Sequence, residues 1–249
     1  MPEQSPCAPE ISATAMNLRQ FRYAADNLGY LIYGKRHAIA VDGGAVDEIL
    51  AFLDAHRLKL VAVTNTHTHP DHTSGNTALV RATGATLAEP LRLARAGKLE
   101  LEGTFIQVRH TPGHSSDSVV FHHTGVLLSG DTLFIGRVGR CFTGDRAAFL
   151  SAIQWILSLP DQTLVYPGHD YVHEYLTAAK VLEPANLHID RFLDAYHPDH
   201  VVSTLSRERK INLTLRFNDP DVIALLSRRG LAHATEYERW NSVLSLVHE

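Results

Sequence analysis

The stretch Leu58-Lys-Leu-Val-Ala-Val-Thr64, closely followed by Thr66-His67-Thr68-His69-Pro70-Asp71-His72, decides how this chain is read. The first part is a short apolar run of strand length. The second packs four possible metal ligands, His67, His69, Asp71 and His72, into six residues. Imidazole nitrogen and carboxylate oxygen are the donors that zinc, iron and manganese take in catalytic sites. On an extended segment, side chains two apart point the same way, so His67 and His69 can grip one ion. Pro70 turns the chain and lets Asp71 and His72 face a neighbouring position. A plain surface histidine run fits poorly here, because the segment follows a buried strand, where folds that mix strands and helices place their sites.

The pattern recurs three times. Thr111-Pro112-Gly113-His114, Ser129-Gly130-Asp131-Thr132 and Tyr166-Pro167-Gly168-His169 each follow an apolar run, and each exposes one His or Asp in a small-residue turn. One such residue is an ordinary turn or cap; together with the first cluster, the recurrence points to a metal site. The chain has 16 histidines. Those outside the pattern read mostly as surface residues, with His110 and His173, near ligands in sequence, as candidates to orient them.

Working outward, Asn27–Tyr33 and Ala38–Val41 read as a hairpin, and Ala45 to His56 as a helix from its apolar spacing near 3.6. Residues 77–83 and 146–157 also read as helices. Strands are expected near 85–88, 105–109, 118–122, 125–129 and 164–166. Beyond Glu183 helical patterns dominate. The expected organisation is a flexible lead-in over 1–15, a mixed strand and helix core over 16–183, and a helical annex over 184–249. Such mixing, without strict strand–helix alternation, argues for an α/β (α+β) fold. Of the 249 residues, 45% are hydrophobic, and 23 Lys+Arg against 27 Asp+Glu leave a formal charge of −4. That balance offers no electrostatic reason for nucleic acid or an anionic membrane as partner. No apolar run spans a bilayer. Two cysteines, Cys7 and Cys141, build no disulfide framework, and the first residues have no apolar signal region, so the expectation is a cytoplasmic protein.

The set His67, His69, Asp71, His72, His114, Asp131 and His169 resembles the metallo-β-lactamase superfamily signature, complete and in order over about residues 25–180. The resemblance implies a four-layer αββα sandwich with the C-terminal annex attached. It implies one metal held by His67, His69 and His114, a second by Asp71, His72 and His169, and Asp131 bridging the two. Seven ligands suit two divalent ions about 4 Å apart, zinc first, with iron or manganese acceptable. Two such ions can share a hydroxide nucleophile and stabilise an oxyanion, with Asp71 and Asp131 as the catalytic carboxylates. No Gly-x-Ser-x-Gly nucleophile motif is present.

Asp131-Thr-Leu-Phe134, Gly139-Arg-Cys-Phe-Thr-Gly144, Tyr166-Pro-Gly-His-Asp-Tyr171 and the annex residues Ser203-Thr204-Leu205, Glu208-Arg209, Asn212 and Arg216 look like glyoxalase II. That family hydrolyses S-D-lactoylglutathione. The resemblance implies a glutathione thioester as small-molecule substrate, bound by Arg140, Phe142, Tyr171 and Arg216. The chain departs from the family at Leu213, where a Pro is usual, at Phe142, where a Tyr is frequent, at Asp117, where a Gly is usual, and in having no Lys soon after Arg216. The competing resemblances are the mononuclear iron persulfide dioxygenases, which share His169-Asp170-Tyr171, and then lactonases or non-catalytic metal-binding members.

Overall fold

Alternation along the first hairpin sets the layering of the molecule. A computed structural model describes residues 16–248; the lead-in expected over 1–15, with Cys7, lies outside the described residues. Strand β2 (Asn27–Tyr33) turns Leu28, Tyr30 and Ile32 to one face and Leu31 to the other, and β3 (His37–Val41) does the same with Ile39 and Val41 against Ala38 and Ala40. Period-2 alternation with apolar residues on both faces requires cover on both sides. With β1 (Asn17–Tyr23), β4 (Lys59–Thr64) and β5 (Thr86–Leu87), these strands form a five-stranded sheet in the order β1-β2-β3-β4-β5. Its outer face is covered by α1 (Val46–Ala55) and by α3 (Asn76–Thr83), which follows the single turn α2 (Pro70–Thr73); Ile49, Leu53 and Leu79 are buried there.

The second sheet contains β6 (Lys98–Leu101), β7 (Thr104–His110), β8 (Val119–His123), β9 (Val126–Gly130), β10 (Leu164–Pro167) and β11 (Ser203–Thr204), in the order β11-β10-β9-β8-β7-β6. Ile106, Val108, Val119, Phe121, Leu128 and Tyr166 pack between the sheets against Leu28, Tyr30, Ile39 and Val41. Val120, Leu127 and Val165 face outward, onto Phe149, Ile153 and Ile156 of α5 (Arg146–Leu157). The result is helix, sheet, sheet, helix, as the resemblance implied.

The chain beyond 183 differs in detail from an all-helical expectation. Ser203–Thr204 pairs antiparallel with Val165 and Leu164, adding an edge strand. The apolar pattern over Val201–Leu215 is therefore not one helix. Thr204 caps α8 (Leu205–Ile211) by accepting from the Arg207 backbone N–H, and Asn212, in an extended conformation, ends it and caps the next turn. The other helices there are α7 (Leu187–Ala195), α9 (Pro220–Arg228) and α10 (Glu236–His248), after α6 (Val172–Leu182). Phe217, Leu226, Trp240 and Val243 share one apolar cluster with α5, so this segment is packed on the sandwich itself. No helix among the described residues is long and apolar enough to cross a membrane.

Candidate metal centre

Strands of both sheets end at one edge, and every predicted ligand sits just past such an end. His67 and His69 follow β4, with Asp71 and His72 in the α2 turn, where Pro70 occupies the first helical position. His114 follows β7, Asp131 follows β9 and His169 follows β10. The two sheets are tied together there by backbone bonds from Val119 N to Thr66 O (2.7 Å) and from Leu28 N to Gly168 O (2.8 Å). The backbone must come very close: a Cβ on Gly168 would lie 2.2 Å from Asp131 Oδ1, so only glycine fits beside that carboxylate.

The seven residues converge as two triads. His69 Nδ1 lies 2.9 Å from His67 Nε2 and 3.1 Å from His114 Nε2. His169 Nε2 lies 3.2 Å from both His72 Nε2 and Asp71 Oδ2, and Asp71 Oδ2 is 3.5 Å from His72 Nε2. Asp131 stands between them: Oδ2 is 3.4 Å from His114 Nε2, 3.5 Å from His169 Nε2 and 3.9 Å from His67 Nε2, while Oδ1 is 3.4 Å from His72 Nε2. Two ligands about 2.0–2.1 Å from a tetrahedral ion are roughly 3.3 Å apart, so the spacing suits metal coordination.

Hydrogen bonding supports the same reading. In three of the five histidines Nδ1 is within hydrogen-bond geometry of an acceptor: Thr66 Oγ1 for His67 (3.1 Å), the Arg140 carbonyl for His114 (3.2 Å) and Asp26 Oδ1 for His169 (2.9 Å). His72 Nδ1 lies 3.1 Å from Asp42 Oδ2 as a charge contact without hydrogen-bond geometry. A proton held on Nδ1 leaves Nε2 as a bare lone pair. Bare lone pairs converging at about 3 Å repel unless a cation lies among them. Asp131 Oδ1 is buried and has no hydrogen-bond partner among the described residues, as expected of an oxygen that serves an ion. The donor set therefore fits two divalent metals.

Asp42 is the organiser of this arrangement. It accepts from Thr66 N (2.8 Å) and Thr66 Oγ1 (2.7 Å), so Thr66 is left to receive the His67 proton, and it also lies against His72. One carboxylate thus orients a ligand of each triad. Asn27 Nδ2 donates to Asp71 Oδ2 at 2.9 Å. Asp117, a departure from the family pattern, accepts from Thr68 Oγ1 (2.6 Å) and Ser115 Oγ (2.7 Å), tying the first cluster to the His114 turn. Burial and the neighbouring His72 hold His67 down to about 4. Burial pulls His72 the same way, but Asp42 and Asp131 overcome it and push it up to about 11, so a proton takes the ion's place there without metal. Asp131 sits well below the carboxylate range, because the surrounding histidines outweigh burial.

Sequence reasoning missed Asp26, Asp42 and Asn27. Asp42 follows the β3 strand at φ +52, Asp26 lies in the turn before β2 and Asn27 opens β2, so each looked like ordinary strand-end polarity. Conversely, His110 bonds the Ser116 carbonyl and His173 packs on Tyr196; neither orients a ligand.

The metallo-β-lactamase superfamily model matches residues 27–109 and 90–169, covering the whole ligand series. The chain belongs to this superfamily. Within it, the chain is 33% identical over 216 residues to a hydroxyacylglutathione hydrolase of Methylobacillus flagellatus (80% of this chain, 86% of that one). It is 32% identical over 247 residues to a hydroxyacylglutathione hydrolase of Serratia proteamaculans (92% and 96%). Among solved structures, the ETHE1 protein of Myxococcus xanthus superposes with a TM-score of 0.66 at 24% identity, over 92% of this chain and 90% of that one, a likeness of fold.

In this superfamily member the expected substrate residues separate into two groups. Three lie at or beside the two triads. Tyr171 stacks on His169 (4.9 Å, 5° between planes), Phe142 is 61% exposed and stands edge-on to His114 at 5.2 Å, and the Arg140 guanidinium lies 5.7 Å from the Phe142 ring. Arg216 does not join them. It is buried, ion-paired with Glu183 (2.8 Å) and Asp219 (2.9 Å). The rest of the annex motif is also structural: Glu208 accepts from Gly136 N (2.9 Å), Thr214 Oγ1 from Val138 N (2.9 Å), and Asn212 bonds both Glu208 and Thr214. These bonds hold the 136–140 segment, whose Arg140 carbonyl faces His114.

Proposed function

We propose that the protein is a two-metal thioester hydrolase that cleaves S-D-lactoylglutathione or a related acyl-glutathione into a hydroxy acid and glutathione. The observation that carries this reading is the meeting of two ligand triads at Asp131, in a chain whose relatives are hydroxyacylglutathione hydrolases over most of their length. His67, His69 and His114 would hold one ion and Asp71, His72 and His169 the other, with Asp131 shared. Zinc is the first choice, since an imidazole and carboxylate set with open positions is its usual catalytic environment. When bound, two such ions supply an activated water and Lewis acidity.

The protein's own groups do the rest. Asp71 and Asp131 are held as carboxylates, so each is available to accept a proton beside the thioester carbon. Burial raises the Tyr171 hydroxyl, which stays protonated at neutral pH and has no hydrogen bond to a described residue, so it is free to donate to the substrate. Phe142 offers an apolar face over the centre, and Arg140, exposed and without an ion pair, suits a glutathione carboxylate. The test is loss of thioester absorbance and release of thiol from S-D-lactoylglutathione. Arg140→Ala is expected to raise KM with little change in kcat, and Tyr171→Phe to lower kcat/KM. A zinc-loaded protein that releases no thiol from any acyl-glutathione refutes the reading.

A further inference from the structure

Helices α7 and α8 and the segment between them line an open cavity of about 330 Å³ whose chemistry the metal centre does not use. Its rim carries Arg191, Arg207 and Lys210, and its lining includes His188, His197 and His200 but no carboxylate. None of the three cationic heads is ion-paired or hydrogen-bonded to a described residue. Its walls are apolar and aromatic: Phe192, Tyr196 and the fully buried Ile211. Tyr196 is fixed, since its hydroxyl donates to Asp170 (2.5 Å), and the His200 ring stacks on Tyr166. Two acidic groups touch the lining without entering it: Asp170, held by Tyr196 and Arg22, and Asp199, 3.7 Å from His197 with both side chains largely exposed.

The adjoining cleft makes the contrast plain. It shares His188, Arg191 and Lys210, but Glu183, Asp219 and Asp221 also line it, and its Arg216 is neutralised by two of them. Arg216 is thus compensated in the cleft; Arg191 and Lys210, which line both, and Arg207 form no ion pair with a described residue, in a chain of formal charge −4. Uncompensated like charges held around a concavity repel one another, and the arrangement is relieved when an anion binds. The volume is that of a small-molecule site, and apolar walls with a few convergent polar groups are its usual make-up.

We propose that this cavity is a second ligand site, separate from the metal centre, for a small organic anion. The ligand carries at least two phosphate or carboxylate charges on an aromatic or apolar body. The charged groups meet Arg191, Arg207 and Lys210, for which Arg is the better bidentate partner; the body lies on Phe192 and Tyr196.

The test is calorimetry on the full-length, metal-loaded protein with ADP, pyrophosphate, citrate and adenosine as probes. Saturable 1:1 binding is expected for ADP, tighter than for pyrophosphate, with none for adenosine. Citrate against pyrophosphate assigns the charge preference to carboxylate or phosphate. In the Arg191→Gln/Arg207→Gln/Lys210→Gln variant, ADP affinity is expected to fall by about tenfold or more, while melting temperature, metal content and hydrolysis of acyl-glutathione stay unchanged. ADP binding that survives in this variant belongs to the metals and overturns the proposal. So does the absence of binding by all three anions, or adenosine binding as tightly as ADP.

Discussion

Asp42 is fully buried, accepts two hydrogen bonds from Thr66 and lies 3.1 Å from His72 Nδ1. Asp42→Asn keeps the volume but removes the charge and one acceptor. With its NH₂ in the Oδ2 place, the new amide sets donor against donor at both Thr66 Oγ1 and the His72 ring, which breaks the relay to His67 and frees His72 to turn. With its NH₂ in the Oδ1 place, the Thr66 backbone N–H loses its acceptor, and the remaining uncharged oxygen holds Thr66 Oγ1 and His72 more weakly than a carboxylate does. Losing an outer partner of a metal-bound histidine costs about 10- to 100-fold in affinity or activity, roughly 1.4–2.7 kcal/mol. The buried donor left without an acceptor costs a further 1–3 kcal/mol or so of fold stability. Competition with a chromophoric chelator measures the first and a thermal melt of the metal-free protein the second. The expected outcome is weaker binding of at least one metal, with both triads intact in sequence. Wild-type affinity for both metals in a folded Asp42→Asn protein would refute the claim that Asp42 orients the ligands.

Three further outcomes follow from buried or paired groups. Glu208→Ala leaves Gly136 N–H and the Asn212 amide without their acceptor. At about 1–3 kcal/mol for each orphaned group, the melting temperature is expected to drop by several degrees, and a Glu208→Gln variant to recover most of it. Arg216→Ala is expected to lower thermal stability through the orphaned Glu183 and Asp219, yet leave KM for the acyl-glutathione unchanged; a raised KM would restore Arg216 to the substrate site. Glu102 accepts from the backbone N–H groups of Lys35, Arg36 and His37, which bring its carboxyl down to about 2. A depressed folded value stabilises above the unfolded value of about 4.3 and is lost as pH falls toward about 2. Glu102→Gln is therefore expected to be less stable than the parent at neutral pH, with the difference closing between about pH 4 and 2 in chemical denaturation curves.

The convergence of these histidines and aspartates was legible because each occupies a short turn after an apolar strand, with glycine or proline in or beside it, a local signal that needs no tertiary knowledge. α5 was legible from its apolar spacing and kept its expected bounds, Arg146–Leu157. β1 was missed because, as an edge strand, it is mostly polar, Asn17-Leu-Arg-Gln-Phe-Arg-Tyr23, with only Phe21 buried. The short α4 (Pro90–Ala96) and β6 lie in a polar stretch; their signals are Pro90 at the first helical position, Gly97 in a left-handed cap, and the Glu102-Gly103 turn with both φ values positive. The Ser203–Thr214 segment was read through its likeness to a substrate-binding annex. Its work as a clamp on Gly136 and Val138 depends on residues about 70 positions away in the chain, which no local pattern reveals. The same holds for Asp26 and Asp42, whose partners come from other elements.

The central claim is that two metals, sharing Asp131, drive thioester hydrolysis. The most direct measurement strips the protein with chelator, returns zinc in fractions of an equivalent, and follows bound metal and thiol release from S-D-lactoylglutathione together. The expected result is two ions bound per chain, with activity rising as the second site fills, and both lost in Asp131→Ala. Saturation at one metal per chain contradicts it. So does a protein that, loaded with iron, consumes oxygen on glutathione persulfide but releases no thiol from the thioester.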